Sequence, residues 1–219
     1  MQSFLIANPK GGAGKSTLAT NLAGCFARQG HRVMLGDTDR QQSAREWLRL
    51  RSPSLPHIAT WDIEPDQPAR PPKDTTHVVL DTPAGLHGKK LAQMLKLVNR
   101  VIVPLQPSLF DILATRDFLD ALLEEKEVRK QHAFVAVVGM RVDARTRAAA
   151  ELERFLADQG LPVLTLLRDT QNYVQAAAHG LTVFDLPASR AAQDWAQWQP
   201  LLDWTRRQPS TDWANNAAS

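Results

Sequence analysis

Lys10-Gly11-Gly12-Ala13-Gly14-Lys15-Ser16-Thr17 is the stretch that decides the fold of this chain. The apolar run at residues 4–7 predicts a strand before it, and residues 16–29 have helical periodicity up to Gly30. Glycines between a strand and a helix let successive backbone N–H groups turn toward one anion. A lysine then reaches the β- and γ-phosphates, and a hydroxyl binds Mg²⁺. We therefore predict a nucleotide phosphate loop, with Lys15 on the phosphates and Ser16 on the metal ion.

Apolar runs alternate with helical patterns along most of the chain. Further strands are predicted at residues 33–35, 78–80, 101–103, 134–138 and 163–166, with one more short strand around 57–61. Helices are predicted notably over residues 42–51, 112–127 and 146–159, and the Pro-rich residues 52–74 predict a surface excursion. The alternation predicts an α/β fold, a mostly parallel sheet covered by helices on both faces. Ligands bind at the carboxyl ends of such strands, where Asp37, Asp39 and Asp81 fall beside the loop.

Composition sets the broad class of the protein. The 219 residues predict one nucleotide-binding domain over residues 1–207 and a flexible tail over 208–219. No apolar run approaches the roughly 18 residues that cross a bilayer, and no signal-peptide pattern opens the chain, so a cytoplasmic protein is expected. The lone Cys25 excludes a disulfide within the chain. The net charge of +3 permits binding to a polyanion without demonstrating it.

Pro9 and Lys10 depart from the standard phosphate loop, which has glycine at position 9. With these residues the loop resembles that of the ParA/MinD family, the deviant Walker-A ATPases, which implies a single-domain P-loop NTPase. In that family the early lysine, here Lys10, reaches the partner's nucleotide across a dimer interface. A cation arriving in this way would link ATP binding to dimerisation. From the residues alone, a solvated loop lysine remains an equal alternative for Lys10.

Two further segments resemble metal and switch elements of the same family. Gly36-Asp37-Thr38-Asp39-Arg40-Gln41 is similar to its Asp-x-Asp-x-Gln element, which implies Asp37 near the Mg²⁺ shell and Asp39 orienting the attacking water. Residues 78–85 are similar to its Walker-B element, which implies that Asp81 holds Mg²⁺. On spacing alone, Asp37 and Asp39 could instead cap a helix.

The likeness extends through most of residues 3–195. The stretch at residues 140–147 resembles the family's Asn-Arg-Val-Asp segment beside the nucleotide base, which makes Arg141 a nucleotide contact, although Met140 stands where asparagine is usual. Short ParA proteins bind non-specific DNA through surface basic residues. The candidates here are Arg145, Arg147, Arg168, Arg190, Arg206 and Arg207.

The resemblance implies an ATPase that partitions or positions DNA or another large cargo. It implies ATP and Mg²⁺ as ligands, a homodimer on ATP binding, nucleoid association in the ATP state, slow intrinsic hydrolysis and a small ParB-like adaptor that stimulates it. A MinD-like membrane-associated ATPase is one alternative, because the tail carries Trp195, Trp198 and Trp204; we favour packing of these tryptophans over membrane insertion. A P-loop enzyme acting on a small substrate is the other alternative.

Overall fold

Seven parallel strands form one sheet in the part of the chain that the computed structural model describes, residues 1–61, 71–158 and 161–207. In chain order the strands are β1 (Gln2–Ile6), β2 (Val33–Asp37), β3 (Ile58–Ala59), β4 (His77–Asp81), β5 (Arg100–Leu105), β6 (Phe134–Gly139) and β7 (Val163–Leu166). Their order across the sheet is β3-β2-β4-β1-β5-β6-β7. The predicted tail at 208–219, residues 62–70 of the predicted excursion and the end of the helix predicted over 146–159 lie outside the described residues.

Helices connect the strands and cover both faces of the sheet. They are α1 (Lys15–Arg28), α2 (Ser43–Leu50), α3 (Gly88–Leu95), α4 (Leu109–Glu124), α5 (Lys126–Arg129), α6 (Arg147–Asp158), α7 (Gln171–Ala177) and α8 (Ala188–Arg206). Side chains of α1, α2, α7 and α8 pack into the core on one face, and those of α3, α4 and α6 pack into the core on the other. This architecture confirms the predicted fold class, a single P-loop NTPase domain.

Strand β1 lies at the centre of the sheet and shows how the two cores are built. Successive side chains of a strand point to opposite faces, so Phe4 and Ile6 enter one core while Leu5 enters the other. All three side chains are fully buried. A strand that is buried on both faces reads as a continuous apolar run, which is why the sequence identified β1 correctly.

Helix α4 differs from its prediction at both ends. It begins at Leu109, three residues before the predicted start, because Ser108 is an N-cap whose Oγ accepts a hydrogen bond from the backbone N–H of Asp111 at 3.3 Å. It ends at Glu124, because Glu125 has an extended backbone, and the separate helix α5 follows. The predicted helix over 112–127 is therefore two helices with an earlier start.

The tryptophans of α8 pack inside the protein. Trp198 is fully buried and its indole N–H donates to the Tyr173 hydroxyl at 2.9 Å, while the indole N–H of Trp195 donates to the Val183 carbonyl at 2.7 Å. Trp204 is half-buried and packs against the same core. These contacts confirm the predicted packing of the tryptophans. Among the described residues, no helix combines the length and the apolarity that a membrane span needs.

Candidate functional site

The glycine loop joins β1 to α1 in a conformation that needs glycine at two positions. Gly12 and Gly14 have φ of 78° and 94°, the left-handed region in which a side chain is strained. Gly14 is also the N-cap of α1, so the helix begins at Lys15 and points its N-terminal backbone groups into the loop. This is the arrangement in which a loop and a helix N-terminus together bind a phosphate.

Two side chains outside the loop hold its backbone. Asn8 is buried; its Oδ1 accepts from the N–H of Lys10 at 2.8 Å, and its Nδ2 donates to the Pro104 carbonyl at 2.7 Å. Gln106, just beyond β5, donates through Nε2 to the Gly12 carbonyl at 2.5 Å. The loop is thus fixed from both ends to the neighbouring strand β5. Sequence reasoning missed Asn8, although a polar residue closing an apolar strand was a usable signal.

Lys15 points back across the loop. Its Nζ donates to the carbonyl of Lys10 at 2.7 Å, and its side chain is buried. Burial lowers the pKa of Lys15 from its usual value, and the carboxylates of Asp81 and Asp39 partly oppose that shift. The ammonium group therefore lies among the loop, Asp81 and Asp39. The predicted contact of Lys15 with the phosphates stays a prediction. Lys10 itself is half-buried at the rim of the loop.

Asp81 ends β4 with a carboxylate that lacks partners. The residue is 1% exposed, and neither carboxylate oxygen accepts a hydrogen bond from any described residue. Burial raises the pKa of Asp81 to about 7; the carboxylates of Asp37 and Asp39 raise it further, while Ser16 and Lys15 oppose them. Two orphaned buried oxygens facing a hydroxyl are the donor set that a hard divalent cation takes. The residues present therefore fit Mg²⁺, with Asp81 and Ser16 as its candidate ligands.

Asp37 and Asp39 differ in what they contact. Asp37 is buried, and its Oδ2 accepts from the N–H of Ala44 at 2.8 Å while its Oδ1 accepts from the N–H of Asp39 at 2.9 Å. Asp37 therefore caps the first turn of α2, as the helix-capping alternative expected. Asp39 is half-buried and accepts only a local bond, from the N–H of Gln41 at 3.1 Å, among the described residues. Its second carboxylate oxygen is free to act on a ligand.

Backbone contacts tie these strand ends together. Thr38 donates from its N–H and its Oγ1 to the Asp81 carbonyl, at 3.0 Å and 2.9 Å, which joins the ends of β2 and β4. The N–H of Gly85 donates to the Pro9 carbonyl at 2.9 Å, so the segment after β4 is attached to the loop. The phosphate loop, the end of β2 and the segment that carries Asp81 are thus joined by hydrogen bonds.

Arg141 and Met140 lie at the end of β6. Arg141 is exposed with a φ of 54°, and Met140 is 4% exposed. The Met140 side chain packs against Gly14, because a Cβ on that glycine would lie 2.9 Å from its Cε. Met140, which stands where asparagine is usual, thus supports the loop by packing against Gly14. Arg141 is the next residue in the chain, and its nucleotide contact stays a prediction.

The six candidate DNA-binding arginines do not form one patch. Arg145 and Arg147 lie beyond the carboxyl end of β6, where they contact Asp143 at 3.1 Å and Glu151 at 3.7 Å. Arg206 and Arg207 lie at the opposite edge of the sheet, because the Arg207 carbonyl accepts from Arg100 at the start of β5 at 2.6 Å. A single DNA segment crossing one edge would reach only part of the set.

Arg168 and Arg190 are held by an internal network. Arg168 donates through Nε to buried Asp194 at 2.6 Å, and Arg190 donates through Nε to the Asn172 side chain at 3.0 Å. Asn172 in turn donates to Asp194 at 2.7 Å. These two arginines therefore hold α7 against α8, and DNA binding would have to compete with those bonds.

Comparison with known proteins gives concordant matches. Residues 4–183 match the family described as the CobQ/CobB/MinD/ParA nucleotide binding domain. The chain is 28% identical over 201 residues to "Maintenance of carboxysome distribution protein A" of Halothiobacillus neapolitanus, which covers 88% of this chain and 91% of that protein. The protein of the same name from Gloeobacter kilaueensis is 27% identical over 198 residues, covering 89% of each chain.

The fold is also similar to solved structures. The septum site-determining protein MinD of Pyrococcus horikoshii, complexed with Mg-ADP, superposes with a TM-score of 0.72 at 16% identity, covering 92% of this chain and 96% of that one. At this identity the likeness concerns the fold alone.

Proposed function

Because this chain belongs to the CobQ/CobB/MinD/ParA nucleotide-binding family and is a ParA/MinD-type ATPase, we propose that it dimerises on ATP and positions DNA or another large cargo. Members of this family typically dimerise and work with partner proteins. The two relatives above are carboxysome distribution proteins by name, which supports a cargo of large size. The cargo would be linked to the ATPase by a small adaptor of the ParB type that stimulates hydrolysis.

The observation that carries the proposal is the unpartnered Asp81 carboxylate beside Lys15 and Ser16. Burying a charge without a partner is costly, so a fold keeps such a group where a ligand compensates it. Asp81 and Ser16 would hold Mg²⁺, which when bound neutralises charge on the β- and γ-phosphates. Lys15 would leave the Lys10 carbonyl and donate to the phosphates. The loop N–H groups would bind the remaining phosphate oxygens, and Thr17 lies in the first turn of α1 beside them.

Hydrolysis would need a water and a second cation. Asp39, with its unengaged oxygen, would accept a proton from the attacking water and orient it. Lys10 lies at the loop rim with no ion pair among the described residues, so its ammonium group would be available to a partner's nucleotide. Completion of the site only in the dimer would make the intrinsic rate slow.

DNA would be the matrix on which the dimer moves. Arg145 and Arg147, exposed at the same edge of the sheet as the nucleotide site, are the arginines best located for ATP-regulated contact with DNA phosphates. Such contacts carry no sequence information and weaken with salt. Nucleoid association in the ATP state would follow from them.

The first test replaces Lys15. We expect Lys15→Ala to weaken ATP binding about 10- to 100-fold, because a charge-assisted contact of about 1.5–3 kcal/mol is lost. Titration with a fluorescent ATP analogue measures the affinity. The matched control is Lys130→Ala, because Lys130 is exposed and lies outside the phosphate loop. Unchanged affinity in Lys15→Ala would remove the nucleotide assignment.

The second measurement concerns the matrix. With ATP, the protein should bind non-specific DNA, and added salt should weaken that binding. ADP should not support it. If ATP instead recruits the protein to anionic liposomes and not to DNA, the MinD-like alternative replaces the proposal. Turnover of a small substrate with neither DNA nor adaptor present would favour the other alternative, a P-loop enzyme acting on a small substrate.

A further inference from the structure

Helix α4 begins with an exposed group of large apolar side chains. Leu109, Phe110 and Leu113 are 61%, 75% and 41% exposed, and together we call them the α4 patch. Residues four apart lie on the same side of a helix, and Phe110 adjoins them, so the three form one surface. The other exposed large apolar residues, such as Val174 and Leu97, lie singly on different elements, which is ordinary for a protein surface.

We propose that a second copy of this chain covers the α4 patch when the protein dimerises with ATP. The inference rests on the proposed ATP-dependent dimer and names part of its contact surface. An apolar surface exposed in the isolated chain is released from water when such an interface forms, which favours association. Because the patch and the loop lie at the same edge of the sheet, an interface formed across the nucleotide would cover both.

The position of the patch relative to the phosphate loop is the first support. Gln106, three residues before Leu109, donates to the Gly12 carbonyl at 2.5 Å. Within α4, Thr115 accepts a hydrogen bond from Asn8 Nδ2 at 3.1 Å, and Asn8 also holds the N–H of Lys10. The Thr115 bond holds the buried side of α4. Strands β1 and β5 are parallel neighbours, so the loop after β1 and the start of α4 after β5 lie at the same edge of the sheet. A surface that meets a partner at Lys10 therefore lies at the same edge as the α4 patch.

The charge of the patch is the second support. The acidic residue next to it in the chain, Asp111, accepts a hydrogen bond from the Ser108 hydroxyl at 2.6 Å and is thereby turned toward the N-cap. Behind the patch, the opposite charges of Arg116 and Asp117 lie 3.8 Å apart. In a two-fold dimer each patch meets the same residues of its partner or their near neighbours, so a strongly charged patch would repel itself. Two copies of an apolar patch bordered by one positive and one negative charge can meet without repelling each other.

The chemistry of the patch fits other occupants less well. Nucleic acid needs a row of basic side chains, whereas the three exposed side chains here are hydrocarbon. A membrane-inserting surface usually adds basic residues around its apolar core, and Asp111 and Asp117 flank this one. If a separate protein partner covers the patch instead, the substitutions below should leave dimerisation unchanged.

The test introduces charge into the patch. We expect Phe110→Glu to weaken ATP-dependent dimerisation at least about 100-fold, because two carboxylates enter one symmetric interface and an aromatic anchor is lost. Sedimentation velocity with ATP and with ADP measures the dimer dissociation constant. Phe110→Ala should weaken it less, about 10-fold. Val174→Glu puts the same charge on a 59% exposed apolar residue of α7 and should dimerise like the wild type.

Each result has one meaning. Binding of a fluorescent ATP analogue to the monomer, at protein concentrations below the dimer dissociation constant, should change less than about 2-fold in Phe110→Glu, which shows that the loop is intact. If Phe110→Glu and Phe110→Ala dimerise like the wild type, the inference is overturned. If the wild type binds ATP and stays monomeric, the proposed dimer itself has failed.

Discussion

Asp81 and Asp194 are both removed from solvent, at 1% and 0% exposure, yet their surroundings are opposite. Asp194, in the middle of α8, accepts from Arg168 Nε at 2.6 Å and from Asn172 Nδ2 at 2.7 Å. Asp81, at the end of β4, accepts no hydrogen bond from the residues that the structure describes. The fold thus supplies hydrogen-bond donors to the Asp194 carboxylate, whereas the Asp81 carboxylate accepts no hydrogen bond from the described residues.

The difference separates a structural charge from a functional one. A buried ion costs several kcal/mol in desolvation, and partners are needed to offset that cost. Asp194 has its partners within the chain, so we expect it to hold α7 and α8 together. Asp81 has only the nearby Ser16 hydroxyl and Lys15 ammonium to oppose the cost of its burial, and its pKa stays raised, so we expect it to weaken the unliganded fold in exchange for a cation site. Substitutions at the two positions should therefore have effects of opposite sign on stability.

Asp194→Ala should give the largest effect. It removes the carboxylate from two donors and leaves one N–H of the buried Asn172 amide without its acceptor, although Asn172 still donates to the Arg190 carbonyl at 3.2 Å. Arg168, at 31% side-chain exposure, can turn toward water. We expect the free energy of unfolding to fall by about 3 kcal/mol. Urea denaturation without nucleotide measures it.

Asp203→Ala is the matched control for that measurement. Asp203 lies on the same helix but contacts Arg206 near the surface, at 3.2 Å, and such pairs contribute less than about 1 kcal/mol. A loss in Asp194→Ala no greater than that in Asp203→Ala would show that burial and pairing at Asp194 add nothing to stability.

Asp81→Asn should have the opposite sign. It replaces a buried charge with a neutral amide of the same shape, so at pH 8 without metal we expect the free energy of unfolding to rise by about 1–3 kcal/mol. Chemical denaturation in EDTA measures the gain, and a parallel assay should show loss of Mg²⁺-dependent ATP hydrolysis. A variant that is less stable than the wild type would mean that Asp81 is paired in a way the structure does not show.

The sequence could not have distinguished these carboxylates. Asp37 and Asp81 both follow an apolar strand and looked alike as metal ligands, because local pattern reports strand ends and not side-chain partners. The partner of Asp37 is the N–H of Ala44, available only because α2 begins at Ser43. Asp194 could be noted only as one negative charge in the tail. Its partners are 22 and 26 residues away, so their contact depends on how α7 and α8 pack.

The fold was more accessible to prediction than the surface. Buried parallel strands read as apolar runs, so β1, β2, β4, β5 and β6 followed from the sequence, as did the loop and the alternation with helices. Strands β3 and β7 were also predicted, although they are less buried. The start of α4 did not, because Leu109 and Phe110 are exposed and break the amphipathic pattern that marks a helix. The grouping of the arginines did not either, because sequence position does not report which edge of the sheet a residue reaches.

His77 is the first residue of β4 and Asp81 is the last. His77 is a buried base, so its effect on stability can be compared with that of the buried acid Asp81. Burial, followed by the nearby His31, lowers the pKa of His77 from 6.5 to about 4. The unfolded chain therefore binds a proton between these pH values and the folded protein does not, so this residue makes stability fall as the pH drops from about 6.5 toward about 4. Asp81 acts in the opposite direction, because its pKa is raised and its contribution is lost as the pH rises toward about 7.

The smallest predicted effect is therefore a change of slope. His77→Phe keeps an aromatic ring against Phe26, 4.5 Å from His77 between ring centroids, and removes the proton site. As the pH is lowered from 7 to 4.5, the wild type loses the contribution of His77 and the variant does not. The free energy of unfolding of His77→Phe minus that of the wild type should therefore increase by about 1–2 kcal/mol over this range. Asp81→Asn should show the steeper loss toward low pH, because only His77 then titrates on this strand. If the free energy of unfolding has the same pH dependence in both variants and in the wild type, neither His77 nor Asp81 changes its pKa on folding. The predicted difference between the two ends of β4 would then be wrong.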